Sequence, residues 1–340
     1  MLVTPTSNRR NRNTALILAG GAGFLLAVVG YFNHYTLITL PLVAAVYWFV
    51  RRRTKRRMKV MQAPFPAAWE QGLRSHVDFF LALDDAQQDR FRSLVKVFLD
   101  EVPITGVRTD VDEQCRVLVA ASAVIPIFGF DDWEYSRLGE ILIYPGAFDS
   151  DYQTGGGADQ DTLGMIGVSH LSGVMILSKP ALISGFANSK DKRNVGIHEF
   201  AHLVDKADGS VDGLPAGIPG NVVRPWIEWV GGELKRPVDG NDHIDDYAFT
   251  NEAEYFAVLT EYFFEAPEIL AQRDPETYKM MQSMYRQNTR ALFSRSFLRR
   301  PQRVGRNAAC PCGSGKKYKR CCRSCRKKGL PVASGSRSRS

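Results

Sequence analysis

The chain has 340 residues, 44% hydrophobic and 24% charged, which excludes a wholly disordered polymer or a many-span transporter and leaves room for two ordinary domains. Its formal charge of +8 averages over a segregation: residues 1–60 hold 10 Lys and Arg and residues 295–340 hold 15, with no acid in either. The remaining 19 bases face 36 acids in residues 61–294, so an acidic middle of net −17 lies between two basic ends, and the ends are expected to meet anionic partners.

Residues 14–32 carry no charge. As a helix they would span about 28 Å, close to the hydrocarbon thickness of a bilayer. Asn33-His34 interrupts, and residues 35–50 give a second uncharged run. Arg9, Arg10 and Arg12 precede the first run, and Arg51, Arg52, Arg53, Lys55, Arg56 and Arg57 follow the second. Basic residues accumulate on the cytoplasmic side, so the pattern predicts a transmembrane helical hairpin over 1–60 with both ends in the cytoplasm. That makes an inner (cytoplasmic) membrane, multi-pass protein whose main domain faces the cytoplasm. A cleaved signal peptide fits poorly, because a second apolar run follows at once. A single span with an interfacial remainder competes, since the second run is short.

A Pro-containing joint at 63–66 opens a helical region in which Trp69, Leu73, Val77 and Phe80, then Phe91, Leu94, Val95 and Phe98, recur at three- and four-residue spacing. Asp84 with Gln87 predicts a capping box at the second of these helices. Residues 115–130 are largely apolar and rich in Ala, Val and Ile, and fit either a buried helix or a buried strand. EILIY at 140–144 and GVMILS at 173–178 read as strands, and Gly155-Gly156-Gly157 marks a loop. Helices are expected over 192–202, around Trp226, over 251–264 and on to about 297, with loops at 208–220 and 237–242. The class is α+β, helix-dominated, with a small sheet.

His198-Glu199-Phe200-Ala201-His202 is an H-E-x-x-H. On a helix, positions i and i+4 share a face, so two imidazoles can hold one Zn²⁺, and the Glu beside the first can serve as general base to a water on the metal. The setting is apolar (Val195, Ile197, Phe200, Leu203), unlike a solvated helix carrying two histidines. Catalytic zinc takes a third protein ligand, for which three candidates stand. Asp208 lies six residues after His202, but that geometry wants Gly where Asp205 stands. His243 sits in a polar loop. Glu254 leads, because a carboxylate in an apolar helical run is costly unless paired or metal-bound. Glu261, near the same face, faces the same argument and is a candidate to support a ligand. Asp205 is expected either to orient a His or to form a salt bridge at the helix end. His170 reads as structural, and the 173–178 strand offers an edge for an extended peptide.

HEFAHLVD at 198–205, with DYAFTNEAEYFAV at 246–258 running into EYFFEAPE at 261–268, resembles the Mlc titration factor A family of zinc peptidases. YPGAF at 144–148 and the VMILS strand share the likeness, which covers roughly residues 64–290. In that family, and in the similar catalytic domain of anthrax lethal factor, a Tyr stands seven residues before the ligand Glu, as Tyr247 does before Glu254. The resemblance therefore implies a zincin-like metallopeptidase domain over 61–297. It implies His198, His202 and Glu254 as zinc ligands, Glu199 as general base and Tyr247 as donor to the oxyanion. Leu203-Val204 stand where the family commonly has Lys-Leu.

Five of the six cysteines fall in residues 310–325. Cys310, Cys312, Cys321 and Cys322 give C-x-C-x8-C-C, which can close a tetrahedral structural zinc site. A disulfide arrangement would need the adjacent Cys321 and Cys322 to find separate partners. Residues 305–322 resemble the SEC-C module of the SecA C-terminus, so 305–325 is expected as a second zinc module after a linker at 298–304 and before a disordered basic tail at 326–340. The function expected is a membrane-tethered zinc peptidase acting on a peptide or protein substrate. Its tail would recruit a ribosome, translocation or chaperone component or a transcriptional regulator. The alternative is a binding adaptor docking on the ribosome, on translocation machinery or on anionic lipid through the SEC-C tail and basic ends. Nucleic-acid binding is disfavoured, because the tail lacks interleaved aromatics.

Overall fold

The computed structural model describes residues 2–32, 41–146, 164–166, 173–187, 192–215, 217–236, 243–299 and 317, and the side chains of all of these except 32, 164–166 and 295–299. The chain divides into two compact units, Met1–Phe293 and Ser294–Ser340. Of the second, the described residues are the end of one helix and Lys317, so the cysteine cluster and its linker lie outside them, as do the loop at 149–161 and His170.

Helix α1 spans Pro5–Phe32 and α2 spans Pro41–Gln62. They run antiparallel. Near the start of α1, the Asn11 Nδ2 donates to the Val50 carbonyl at 3.4 Å, and Arg51 donates to the Asn8 carbonyl and the Asn11 Oδ1 at 3.1 and 3.0 Å. Farther along, Gly23 faces Val43. Among the described residues one helix is long and apolar enough to cross a membrane, the 27 residues Pro5–Tyr31 of α1, whose most apolar 18-residue stretch has mean hydropathy 1.9. Its Ile17, Phe24 and Leu25 are about two-thirds exposed or more.

Next come α3 (Ala67–His76), α4 (Asp78–Ala82) and α5 (Asp85–Glu101). The capping box forms at the start of α5: the Gln87 N–H donates to Asp84 Oδ1 at 2.9 Å, and Gln87 Oε1 accepts from the Asp84 N–H at 3.0 Å. The ambiguous apolar run is α6 (Glu113–Ile127), capped by Asp112. Its residues from Val117 to Ile127 are all buried, so it has no polar face to betray a helical period.

Strands β1 (Ile104–Gly106), β2 (Glu140–Tyr144), β3 (Gly164–Ile166) and β4 (Val174–Ser178) form one sheet in the order β1-β2-β4-β3. β1, β2 and β4 are parallel, with Ile141 opposite Met175, and β3 is antiparallel to β4. β4 is therefore interior. The peptide-pairing edge expected there is already taken by β3.

α7 (Lys179–Ala187) follows β4 directly. Lys179-Pro180, which reads as a strand terminator, also suits the first turn of a helix, where the missing proline N–H has no partner to lose. α8 (Val195–Asp205) then packs against α6. A Cβ at Gly196 would stand 2.1 Å from the Ser122 Oγ, so only glycine allows this approach. α9 (Gly220–Glu233), α10 (Glu252–Glu265), α11 (Pro267–Arg273), α12 (Pro275–Tyr285) and α13 (Thr289–Arg299) complete the chain, and α13 continues past residue 297 into the expected linker.

The basic run after the second apolar segment does not form a free flank. α2 carries it unbroken onto α5 and the loop after α6. Arg57, nearly buried, meets Glu101 through Nε and Nη2 at 2.6 and 2.8 Å and Glu134 through Nη1 at 2.5 Å. Arg53 bridges the same two glutamates, and Arg56 meets Asp100 at 3.0 Å. Lys96 of α5 donates to the Met61 and Ala63 carbonyls at 2.7 and 2.6 Å, satisfying the end of α2 where the helix leaves acceptors unpaired.

Burial alone would raise the Glu101 pKa, yet hydrogen bonds from Arg57 and Arg53 outweigh it and hold the carboxyl down at about 2, from an ordinary 4.5. A depressed carboxylate stabilises the fold above its unfolded pKa and loses that contribution as pH falls. Arg57→Ala should therefore cost about 2–3 kcal/mol at pH 7, read from denaturation of the full chain in mild detergent. The deficit should shrink as pH drops from about 4.5 towards 2. A deficit independent of pH would mean that lost packing, not the ion pairs, is responsible.

Candidate metal centre

α8 begins at Asn194, whose side chain accepts the Ile197 N–H at 3.1 Å. One turn later His198 and His202 stand on a common face, their ring centroids 4.8 Å apart. Phe200, on the opposite side, is fully buried against Phe98 and Tyr135 and fixes which face looks outward. Glu254 arrives from the first turn of α10, where the Asn251 side chain caps the helix by accepting the Glu254 N–H at 2.9 Å.

The three side chains meet at their donor atoms. The Nε2 atoms of the two histidines are 3.2 Å apart, and Glu254 Oε2 lies 3.0 Å from that of His198 and 3.5 Å from that of His202. Donors bound tetrahedrally at about 2.0–2.1 Å stand about 3.3 Å from one another, so these separations suit one zinc ion. The donor set of two imidazoles and a carboxylate suits it too. His198, His202 and Glu254 are the one such group of His, Cys, Asp and Glu among the described residues.

The electrostatics agree. Burial disfavours a charge on His198, but hydrogen bonds to Glu254 and Glu261 overcome it and raise its pKa well above the usual value. Burial likewise opposes charge on Glu254, and the two histidines hold its carboxyl well below the usual range. The cluster thus draws in positive charge, and where only a proton is at hand it takes the proton.

Glu261, two turns along α10, does two things. Its Oε1 accepts from His198 Nδ1 at 2.8 Å, which sets the tautomer that leaves Nε2 a lone pair. Its Oε2 accepts the Asn194 N–H, while Asn194 Nδ2 donates to Glu265 at 3.1 Å. Two carboxylates of α10 therefore grip the residue that caps α8. An asparagine directly before an apolar helix was the available signal for this role of Asn194.

Glu199 is buried beside the cluster, and burial raises its pKa, opposed by the positive character of His198 and His202. Tyr247 lies in a 3-10 turn, Asp246–Thr250, with its ring centroid 6.1 Å from that of His198. Desolvation and the neighbouring Glu254 and Glu199 push its hydroxyl up to about 12. Asp245 accepts the Tyr247 N–H at 3.1 Å and pairs with Arg193 at 2.6 Å, tying this turn to the entrance of α8.

The other candidates lie elsewhere. Asp208 accepts from the Ser210 N–H and hydroxyl at the end of a 3-10 turn. His243 packs its ring against Tyr262, 5.8 Å between centroids, and its carbonyl accepts from Lys192. Among the described residues Asp205 neither hydrogen-bonds a histidine nor makes a salt bridge. It is fully buried and accepts the Gly213 N–H at 2.9 Å, with burial raising its pKa to about 6. Gly213 has φ +72°, and a Cβ there would stand 2.3 Å from the Glu252 carbonyl, so the loop passes the start of α10 at backbone distance.

The sequence model of the glucose-regulated metallopeptidase M90 family matches residues 50–286, and that of the SEC-C motif matches residues 306–324. An uncharacterized protein of Synechocystis sp. is 26% identical over 258 residues, 73% of this chain and 94% of its own length. Mlc titration factor A of Yersinia enterocolitica is 30% identical over 69% of this chain and 90% of its own, and that of Escherichia coli 28% identical over 65% and 86%.

Replacing Glu261 by Ala leaves a buried ring nitrogen and a buried helix N–H without acceptors, each worth about 1–3 kcal/mol. Urea denaturation of metal-free protein should register a loss of at least about 2 kcal/mol, and Glu261→Gln, which keeps an acceptor, a smaller one. An Ala variant as stable as wild type would remove Glu261 from this role.

Proposed function

The chain belongs to the glucose-regulated metallopeptidase M90 family, and we propose that it is a membrane-tethered zinc peptidase. Three donor atoms at the edge spacing of a zinc tetrahedron, with Glu199 adjacent, carry this reading. His198, His202 and Glu254 would hold the ion, which would supply Lewis acidity to make water a stronger acid near neutral pH.

The chain's own residues do the rest. Glu199 takes the proton from the attacking water as oxygen bonds to the peptide carbonyl carbon. Its burial raises its affinity for a proton towards the range a base working near neutral pH needs. It then hands that proton to the leaving amine nitrogen as the C–N bond breaks. The hydroxyl of Tyr247 stays protonated at neutral pH and donates to the carbonyl oxygen as negative charge develops there. Glu261 keeps the His198 ring oriented throughout.

α1 and the apolar run ending at Val50 are read as a hairpin in the cytoplasmic membrane, with the peptidase domain in the cytoplasm. Cys310, Cys312, Cys321 and Cys322 are read as ligands of a structural zinc in the SEC-C motif, which would recruit a protein partner or substrate. A second reading has one observation behind it. Relatives are named for titrating Mlc, so a binding role without hydrolysis is the competitor.

Glu199→Gln decides between them: it should keep both zinc equivalents and lower peptide hydrolysis by about 10²–10⁴. Tyr247→Phe should lower kcat by about 10²–10³. Turnover that survives Glu199→Gln would overturn the peptidase reading at this site, and a wild-type chain that binds partner but hydrolyses no peptide would leave the binding reading standing. Metal analysis should find two zinc equivalents per chain, falling to one when Cys310 and Cys312 are both changed to Ser, with hydrolysis retained.

A further inference from the structure

We propose that the groove between α2 and the end of α5 binds the phosphate of an anionic phospholipid headgroup. The inference rests on the membrane tether and goes beyond it. The groove encloses about 570 Å³ and is lined by Trp48, Arg52, Arg53, Arg56, Asp100 and Glu101. It opens where α2 leaves its apolar stretch. Trp48 and Phe49, 61% and 58% exposed, stand in the last turn before the charges begin, the level at which aromatic side chains settle in headgroups. Arg52 follows Trp48 by one turn, about 6 Å along the axis.

The arginines divide into two kinds. Arg53 and Arg56 are held by Glu101, Glu134 and Asp100, so the acids at this corner are already neutralised. Arg52 has no carboxylate partner among the described residues. It stacks over the Phe49 ring, 4.1 Å from guanidinium to centroid, which fixes the guanidinium plane and leaves its N–H groups for an acceptor outside the protein. Lys55, exposed on the next turn, is likewise without a carboxylate partner.

A domain with 36 acids in its middle would be repelled by an anionic leaflet. At this groove the repulsion is cancelled and a surplus cation remains. The occupant is a lipid rather than free phosphate, because Trp48, Phe49 and the apolar turn above them give its acyl chains somewhere to lie.

The test is native mass spectrometry of the full chain in micelles containing phosphatidylglycerol or phosphatidylcholine, with inorganic phosphate as a third arm. Wild type should retain phosphatidylglycerol over phosphatidylcholine by about fivefold or more. Arg52→Ala, which leaves the Arg57 clamp intact and the melting temperature unchanged, should abolish that preference, and Trp48→Ala should reduce retention of both lipids. No preference in wild type, or a preference that survives Arg52→Ala, overturns the proposal. Phosphate displacing phosphatidylglycerol at equal concentration overturns the choice of a lipid. Flotation with liposomes separates the levels: a chain that floats without headgroup preference keeps the tether and loses the site, and one that does not float loses both.

Discussion

The buried carboxylate of Glu261 is the constraint on which the centre depends. A carboxylate among apolar helices must find donors or unfold its surroundings. Here it finds the Nδ1 of His198 and the N–H of the residue that caps α8. Satisfying Glu261 therefore brings two helices together, selects a tautomer and aims a lone pair at the point that Glu254 reaches from the same helix. Gly196 does the complementary work on the other side, letting α8 settle against Ser122 of α6. The geometry of the three donors follows from helix packing, since His198 and His202 sit on α8 and Glu254 on α10.

How much of this could be read in advance depended on whether the signal was local. H-E-x-x-H declares itself within five residues, and the Asp84–Gln87 capping box within four. Glu254 was legible because a charge in an apolar helix demands an explanation, and family resemblance singled out Tyr247, which otherwise reads as a loop aromatic. What stayed hidden was non-local or too short. β1 and β3 have three residues each, below the length at which alternation is visible. The placement of β4 inside the sheet depends on where β3 lies, which no pattern within β4 records. Asp205 was ambiguous because its partner, the Gly213 N–H, carries no side chain to suggest it.

Arg51–Arg57 is the most instructive case. Read along the chain, the run is a topogenic flank. Read in space, Arg53, Arg56 and Arg57 are committed to acids on α5 and the loop after α6, Arg51 is turned back onto α1, and Arg52 and Lys55 have no carboxylate partner among the described residues. The two descriptions are compatible, because a flank needs only charge whereas a clamp needs charge in register with a partner surface. The segregation of charge in the sequence is thus partly an intramolecular complementarity, with the basic N-terminal region closing on the acidic domain that follows it.

The unbroken passage of α2 from apolar residues into the clamp bears on reach. An enzyme on a flexible leash sweeps a hemisphere and meets whatever diffuses through it. One bolted to the helix that anchors it turns only about that axis, so its cleft stays at one height above the bilayer. On the proposed topology, selectivity would be set as much by the distance of a scissile bond from the lipid surface as by the residues flanking it.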